Sequence, residues 1–244
     1  MSWGRVGRLV LMRHGQSTYN AQNRFTGRDE AELTPLGREQ SVEAGLQLRA
    51  AGLQPRLAFC SSQTRAEESC RLTLRALASD LAPEPLAALD ERDYGELTGL
   101  DKAEAMRRWG EAQVARWRRS YADGPPGGEN LRDVTARVAR AHLHHLLPAV
   151  LSGGDCLVTA HGNSLRALVG LIEDLSPESI EGLEISPGGV VSYEFDRRSR
   201  VHRSGPSLRS AAPVDLLNAI DDELRLEHGD LSREIDPRSK RRGD

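Results

Sequence analysis

The chain has 244 residues, enough for one large domain or two small ones. Hydrophobic residues make up 38% and charged residues 28%, a globular composition on the polar side. With 33 Lys and Arg against 36 Asp and Glu, the formal charge is −3, which excludes a global positive field that would recruit nucleic acid or an anionic membrane. Any anion site must therefore be a local cluster. The positive charge is nearly all arginine, since Lys102 and Lys240 are the only lysines. The three cysteines, Cys60, Cys70 and Cys156, are odd in number and form no C-x-x-C. They suit reduced thiols and a cytoplasmic protein better than a disulfide framework. The apolar run LVLM is too short for a signal peptide, and no stretch approaches the roughly 18 apolar residues of a membrane span.

In chain order, residues 6–12 read as a first strand, with Leu9 to Met12 apolar on both faces. It runs into Arg13-His14-Gly15, where Gly15 permits a tight turn and Ser17 or Thr18 can cap a helix start. Thr34-Pro35 opens a helix with a cap and an N1 proline, and Gly52 closes it. Leu57 to Cys60 form a second short strand. Residues 63–79 carry Ala66, Cys70, Leu74 and Leu77 at helical spacing. Residues 102–121 read as helix with a break near Gly110, and 122–130, ADGPPGGEN, as a loop. A long amphipathic helix follows, with Leu131, Val134, Val138, Ala141 and Leu146 inward. Cys156 to Ala160 form a strand, residues 163–174 a helix, and Val190 to Phe195 the last strand of the body. Strand and helix alternate throughout, so the expected fold is α/β.

From about residue 198 the composition shifts to Arg, Ser and Asp, ending in RSKRRGD. The expected organisation is a catalytic domain over 1–197 and an extension over 198–244. In the extension Leu216, Leu217, Ile220 and Leu224 have the spacing of one amphipathic helix and the rest reads as a solvated tail.

Residues 156–166, CLVTAHGNSLR, repeat the logic of the first strand. An apolar strand ends in His161-Gly162, and Asn163-Ser164 start a helix. Two His-Gly turns at strand ends converge if their strands are neighbours, and they then meet free backbone N–H groups and a cation, a place to receive an anion. Between them, Arg65 begins a helix in SSQTRAEES, and LDERDYGELTGLDKAEA supplies Glu91.

With these residues the chain resembles the histidine phosphatase superfamily, and within it the cofactor-dependent phosphoglycerate mutases. R-H-G-x-S-x-x-N is Arg13, His14, Gly15, Ser17 and Asn20. N-R-F-T-G is Asn23 to Gly27, and E-R-x-Y-G is Glu91, Arg92, Tyr94 and Gly95. G-L-x-K ends at Lys102, W-R-R-S-Y is Trp117 to Tyr121, and A-H-G-N-S-L-R is Ala160 to Arg166. R-H-G is superfamily-wide, whereas W-R-R-S-Y together with E-R-x-Y-G points to the mutase branch. The resemblance covers about residues 6–196. The family often has Trp where Arg28 stands and His where Asp93 stands, and its I-P-T-G-I-P loop appears as Ile185 to Val190.

The resemblance implies a three-layer sandwich with a mostly parallel central sheet flanked by helices. It implies interconversion of 2- and 3-phosphoglycerate through a phosphohistidine on His14, primed by 2,3-bisphosphoglycerate and using no metal. Neutral imidazole suits a nucleophile that must also be a leaving group near neutral pH. Its second ring nitrogen is expected to donate to a backbone carbonyl. Arg13, Arg65 and a protonated His161 would surround the transferring phosphoryl, with Asn20 and the Asn163 amide adding donors. Glu91 would act as base and then acid. Lys102, Arg118, Arg119 and Tyr94 would hold the remaining carboxylate and phosphate, and Ser17, Thr26, Gly27, Arg92 and Gly162 complete the substrate-binding set. The partners implied are small phosphoglycerates, with no nucleic acid or membrane, and with room for a homo-oligomer, dimer or tetramer. Two other readings remain at this point: a phosphatase using the same His14 chemistry, and a non-catalytic phospho-ligand binder. His142 and His145, three apart, have a chelating spacing but no evident third ligand.

Overall fold

A computed structural model describes residues 5–196 and 201–208 of the chain. The elements run β1 (Arg5–Arg13), α1 (Thr18–Ala21), α2 (Pro35–Ala50), β2 (Pro55–Cys60), α3 (Thr64–Ala76) and β3 (Glu84–Pro85). Then come α4 (Lys102–Trp109), α5 (Glu111–Arg119), α6 (Leu131–Ala141), α7 (Leu147–Leu151) and β4 (Asp155–Ala160). The last are α8 (Gly162–Ile172), α9 (Pro177–Gly182), β5 (Val190–Asp196) and β6 (Val201–Leu208).

The strands form one sheet in the order β3-β2-β4-β1-β5-β6. β1, β2, β3 and β4 are parallel, while β5 and β6 are antiparallel to their neighbours. The strand β1 is buried on both faces, as its unbroken apolar run requires. Alternation divides its side chains between two cores. Leu9 and Leu11 join Val158, Leu165, Leu168 and Tyr193 on one face. Val10 and Met12 join Ala44, Leu48, Cys70 and Leu74 from α2 and α3 on the other. Helices on both faces make the three-layer sandwich. A smaller cluster, Phe25, Leu97, Ala105 and Val114, packs α4 and α5 against the segments after β1 and before α4.

The chain leaves β1, crosses over to build β2, and later returns to insert β4 between them. This places a topological switch point at the carboxyl ends of β1 and β4, where open α/β sheets take their ligands. Leu9 to Arg13 lie opposite Cys156 to Ala160 in register, so the residues that follow, His14 and His161, leave the sheet side by side.

Three boundaries differ from the sequence reading. The long helix after Asn130 is interrupted: residues 142–146 form a π-helical turn between α6 and α7, just before Pro148. Pro148 has no N–H to continue the α ladder, and a wider turn there accommodates it. β5 is not the last strand, because β6 pairs with it antiparallel. Gly205-Pro206 hid β6 from a sequence reading, yet proline is tolerated on an edge strand and the pairing slips there. Short β3 and α9 carry no periodicity long enough to read. Leu216 to Leu224 and RSKRR lie outside the described residues.

The turn after β1 requires close backbone approach. A Cβ on Gly15 would lie 1.9 Å from the Gly37 carbonyl oxygen, and one on Gly37 would lie 2.1 Å from the Gln16 carbonyl oxygen. The first turn of α2 is thereby pressed onto the His14 loop. Gly37→Ala is expected to lower the unfolding free energy by about 1–3 kcal/mol, the usual scale of overpacking, and to reduce His14-dependent chemistry with it. Urea unfolding of the variant checks this, and an unchanged midpoint contradicts it.

Candidate active site

β1 delivers Arg13 and His14 to the switch point. The His14 N–H donates to the Ala160 carbonyl at 3.0 Å, continuing the β1–β4 ladder. Its ring Nδ1 lies 2.6 Å from the Gly15 carbonyl oxygen. A carbonyl only accepts, so Nδ1 carries the proton and Nε2 keeps its lone pair. The Gly15 N–H donates to Ser69 Oγ on α3 at 3.0 Å. The loop before β5 braces the other side. Arg13 N–H donates to the Gly189 carbonyl at 2.9 Å, Gly188 N–H returns to the Arg13 carbonyl at 3.1 Å, and Arg13 Nη1 donates to the Ile185 carbonyl at 2.7 Å.

β4 delivers His161. Its ring meets that of His14 edge-on, with centroids 4.9 Å apart. His161 Nε2 lies 2.7 Å from Ser61 Oγ, and Ser61 donates its hydroxyl hydrogen to Asp90 Oδ1 at 2.8 Å. Ser61 must therefore accept from His161, which puts the proton on Nε2. Nδ1 of His161 is buried and has no partner. α3 supplies Arg65, which donates to the backbone carbonyls of Asp29 and Gly27 at 2.9 and 3.1 Å and to Gln63 Oε1 at 3.2 Å. Gln63 Oε1 also accepts the Glu91 N–H at 2.8 Å, so one side-chain amide spaces Arg65 and Glu91. Glu91 Oε1 accepts from the Arg92 N–H at 2.8 Å and from Asn163 Nδ2 at 3.1 Å.

A cavity of about 200 Å³ opens above these groups. Arg13, Lys102, Arg118 and Arg119 line it, together with Glu91, Tyr94, Gly162, Asn163, Asn20 and Thr26. Its lining is mainly cationic, with Glu91 and Glu184 as the carboxylates, which suits a small polyanion that must exchange a proton.

Sequence and structure comparisons each find relatives of this chain. Residues 9–204 match the model of the histidine phosphatase superfamily, branch 1. The chain belongs to the histidine phosphatase superfamily. It is 46% identical over 194 residues to a 2,3-bisphosphoglycerate-dependent phosphoglycerate mutase of Methylocella silvestris, covering 79% of this chain and 94% of that one. A protein of the same name from Mesorhizobium japonicum is 48% identical over the same shares. Among solved structures, a mycobacterial glucosyl-3-phosphoglycerate phosphatase superposes with a TM-score of 0.72 at 27% identity, covering 84% of this chain and all of that one.

Against the expected histidine phosphatase set, Arg13, Glu91, Asn20, Thr26, Tyr94, Lys102, Arg118, Arg119, Gly162 and Asn163 meet at one cavity. His14, Arg65 and His161 do not line it and are buried, each 2% exposed or less. Ser17, Gly27 and Arg92 do not line the cavity. Ser17 caps α1, where it accepts from the Asn20 N–H in a reciprocal capping box. Gly27 offers its carbonyl to Arg65. Arg92 is fully buried, stacks 4.6 Å over the Tyr94 ring and donates to the Arg118 carbonyl at 3.3 Å. Five lining residues were outside the expected set: Arg24, Phe25, Arg166, Glu184 and Ile185. All but Glu184 stand inside quoted motifs, which was a usable signal. Glu184 had none.

The two departures from the family pattern face each other. Arg28 Nε lies 3.4 Å from Asp93 Oδ2, and the same guanidinium is 3.9 Å from Glu129. Asp93 also accepts the Gly95 N–H at 2.8 Å. One replacement thus supplies a partner for the other. His142 is buried, and His145 is exposed, edge-on to Phe59. Among the described residues no group of three His, Cys, Asp or Glu is placed to hold a metal.

The electrostatics bear on the charge of His161: without a phosphoryl group, the site disfavours its imidazolium form. Burial, followed by the charge of Arg65, His14 and Arg13, holds its pKa well below 6.5. Burial and then Arg65 and Arg13 do the same to His14, against a smaller upward effect of the Gly15 carbonyl. Sequence reading missed this because the cause is three-dimensional: two guanidinium groups share the pocket with both rings. Lys102 is also lowered, by partial burial, Arg118 and Arg13. A phosphoryl dianion placed here would offset the guanidinium charge and favour protonation of His161 Nδ1.

Both histidines have folded pKa values below their unfolded ones. The unfolded chain therefore binds protons that the folded chain refuses, and stability falls as pH drops below 6.5 toward the depressed folded values. His161→Asn removes one such group. Its unfolding free energy should fall less than the parent's between about pH 7.5 and about pH 5.5. Equal losses in paired denaturation curves contradict the depressed pKa.

Proposed function

We propose that this chain is a 2,3-bisphosphoglycerate-dependent phosphoglycerate mutase, interconverting 2- and 3-phosphoglycerate through a phosphohistidine. The observation that carries the reading is one cavity lined by Glu91 and by Lys102, Arg118 and Arg119, beside the strand end that bears His14 with its Nδ1 held by the Gly15 carbonyl. A simple phosphomonoesterase needs His14 and Glu91. The three further cations suit a substrate with a second phosphate and a carboxylate. The names of the relatives at 46–48% identity support the same reading.

Two buried donors without partners, Arg13 Nε and Arg65 Nε, fit the demand of a bound phosphoryl for donors, and the unpartnered His161 Nδ1 joins them once it is protonated. In the first half-reaction the Nε2 lone pair of His14 forms the N–P bond while the P–O bond to the departing oxygen breaks. That oxygen keeps the bonding pair and takes the proton held by Glu91. In the second, the acceptor hydroxyl gives its proton to Glu91 as its oxygen bonds phosphorus, and the N–P pair returns to Nε2. Arg13, Arg65 and the newly protonated His161 neutralise the equatorial oxygens. The primer 2,3-bisphosphoglycerate supplies the first phosphoryl. Each half-reaction avoids the strained geometry of direct transfer between neighbouring hydroxyls.

Phosphatase action is the second reading. It is favoured by the structural likeness to a glucosyl-3-phosphoglycerate phosphatase, and it differs only in letting water accept the phosphoryl. A non-catalytic binder is disfavoured, because His14, Arg65, Glu91 and His161 are all in place. The three free thiols are buried, and burial pushes each up to about 12, so they are inert and consistent with a cytoplasmic enzyme. Among the described residues no helix is long and apolar enough to cross a membrane.

Radiolabelled 2,3-bisphosphoglycerate should label the protein stoichiometrically with an acid-labile bond, and His14→Ala should abolish the label. Arg65→Met should keep the site of labelling but slow it by about 10²–10³-fold, the usual cost of one oxyanion donor. Label persisting in His14→Ala rules out His14 as the carrier.

A further inference from the structure

Arg166 stands on α8, three residues after Asn163, so the two share one helix face. It is 5% exposed, and its donors are met entirely by uncharged acceptors. Nε and Nη2 donate to the Ile180 carbonyl at 3.2 and 2.9 Å, and Nη2 also reaches the carbonyls of Glu181 and Arg119 at 3.1 and 3.3 Å. Nη1 donates to Asn163 Oδ1 at 3.0 Å. Burial, with Arg119 and Arg92 nearby, lowers its pKa to about 10, so it remains a cation at neutral pH.

A cation that can only donate decides which way the Asn163 amide points. With Oδ1 turned to Arg166, the NH2 group faces Glu91 and Tyr94, and Nδ2 lies 3.1 Å from both Glu91 Oε1 and the Tyr94 hydroxyl. The opposite amide orientation would set oxygen against carboxylate and NH2 against guanidinium. Both amide hydrogens are thus committed, and the Asn163 side chain has none left for a phosphate. Glu91 Oε1 receives a second bond from the Arg92 N–H. Among the described residues no hydrogen bond falls on Oε2.

We propose that Arg166 is a positioning residue for proton transfer: through Asn163 it fixes Glu91 by Oε1 and leaves Oε2 to carry the proton in each half-reaction. This rests on the reading of Glu91 as the proton carrier. The same guanidinium holds the Arg119 carbonyl, so a cation of the cavity lining and the group proposed to protonate the substrate oxygen are registered to one side chain.

The test is single-turnover phosphorylation of His14 from two donors. With 2,3-bisphosphoglycerate, the departing alkoxide needs the Glu91 proton. With acetyl phosphate, N–P forms as acetate departs with the bonding pair and needs no proton. Arg166→Met and Asn163→Ala should slow the first donor by about 10- to 100-fold, a fraction of the general-acid contribution, and leave the second within about threefold. Arg166→Lys should recover part of the loss, since an ammonium still donates to Asn163 Oδ1. Equal slowing with both donors, or slowing with neither, overturns the proposal. If Arg166→Met fails to fold, Asn163→Ala decides alone, because it removes the amide's bonds to Glu91, Tyr94 and Arg166 Nη1 and leaves the Arg166 bonds to the α9 carbonyls in place. Glu91→Gln is the reference. If it shows no difference between the donors, the reading of Glu91 itself fails, and the proposal falls with it for that separate reason.

Discussion

Parallel pairing of β1 with β4 sets two imidazoles side by side, 4.9 Å apart, at one end of a sheet. Much of the surrounding structure answers the charge problem that this pairing creates. Two guanidinium groups join the histidines in a space that excludes water, and burying cations together is costly unless each finds acceptors. The fold meets the cost mainly with neutral groups. Arg65 donates to two backbone carbonyls and one side-chain amide, Arg13 to the Ile185 carbonyl, and Arg166 to three carbonyls and an amide. None of these three guanidinium groups hydrogen-bonds a carboxylate among the described residues. Their positive charge is therefore satisfied in direction but not neutralised, and it remains available for a phosphoryl group.

The same arrangement favours neutral histidines in the absence of a phosphoryl group. In the proposed reaction His14 attacks through its Nε2 lone pair, which the depressed pKa would preserve. In that reaction His161 is charged only once the dianion is present. The hydroxyl of Ser61, oriented by Asp90, holds the proton of His161 on Nε2 and leaves Nδ1 without a partner. One electrostatic environment thus serves a nucleophile and an electrophile in turn, with the ligand's own charge as the switch.

The strands that build the site were legible because they are buried on both faces. Leu9 to Met12 and Cys156 to Ala160 are apolar runs that end at His-Gly, and nothing else in the chain has that form. The catalytic motifs were legible for the same reason: they sit at the ends of those strands or at the start of the following helix. What the sequence hid depends on tertiary distance. The charge of His161 is set by Arg65, fixed in space by the carbonyls of Asp29 and Gly27. Arg166 stood in plain view in A-H-G-N-S-L-R, but its role appears only when the carbonyls of α9 and the Asn163 amide close around it. Ser17, Gly27 and Arg92 share motifs with lining residues, yet they cap, support and brace rather than face the cavity. Arg28 and Asp93 looked like separate departures and form one ion pair. β6 was hidden by Gly205-Pro206, which an edge strand tolerates.

The central claim is that Lys102, Arg118, Arg119 and Glu91 let a hydroxyl of phosphoglycerate, and not water, take the phosphoryl from His14. The most direct measurement is an enolase-coupled assay on 3-phosphoglycerate, with and without trace 2,3-bisphosphoglycerate, recording phosphate release in the same reaction. The account predicts rapid formation of 2-phosphoglycerate that depends on the primer and frees little phosphate. Phosphate release without 2-phosphoglycerate would contradict it, and would mean that the same residues serve a phosphatase.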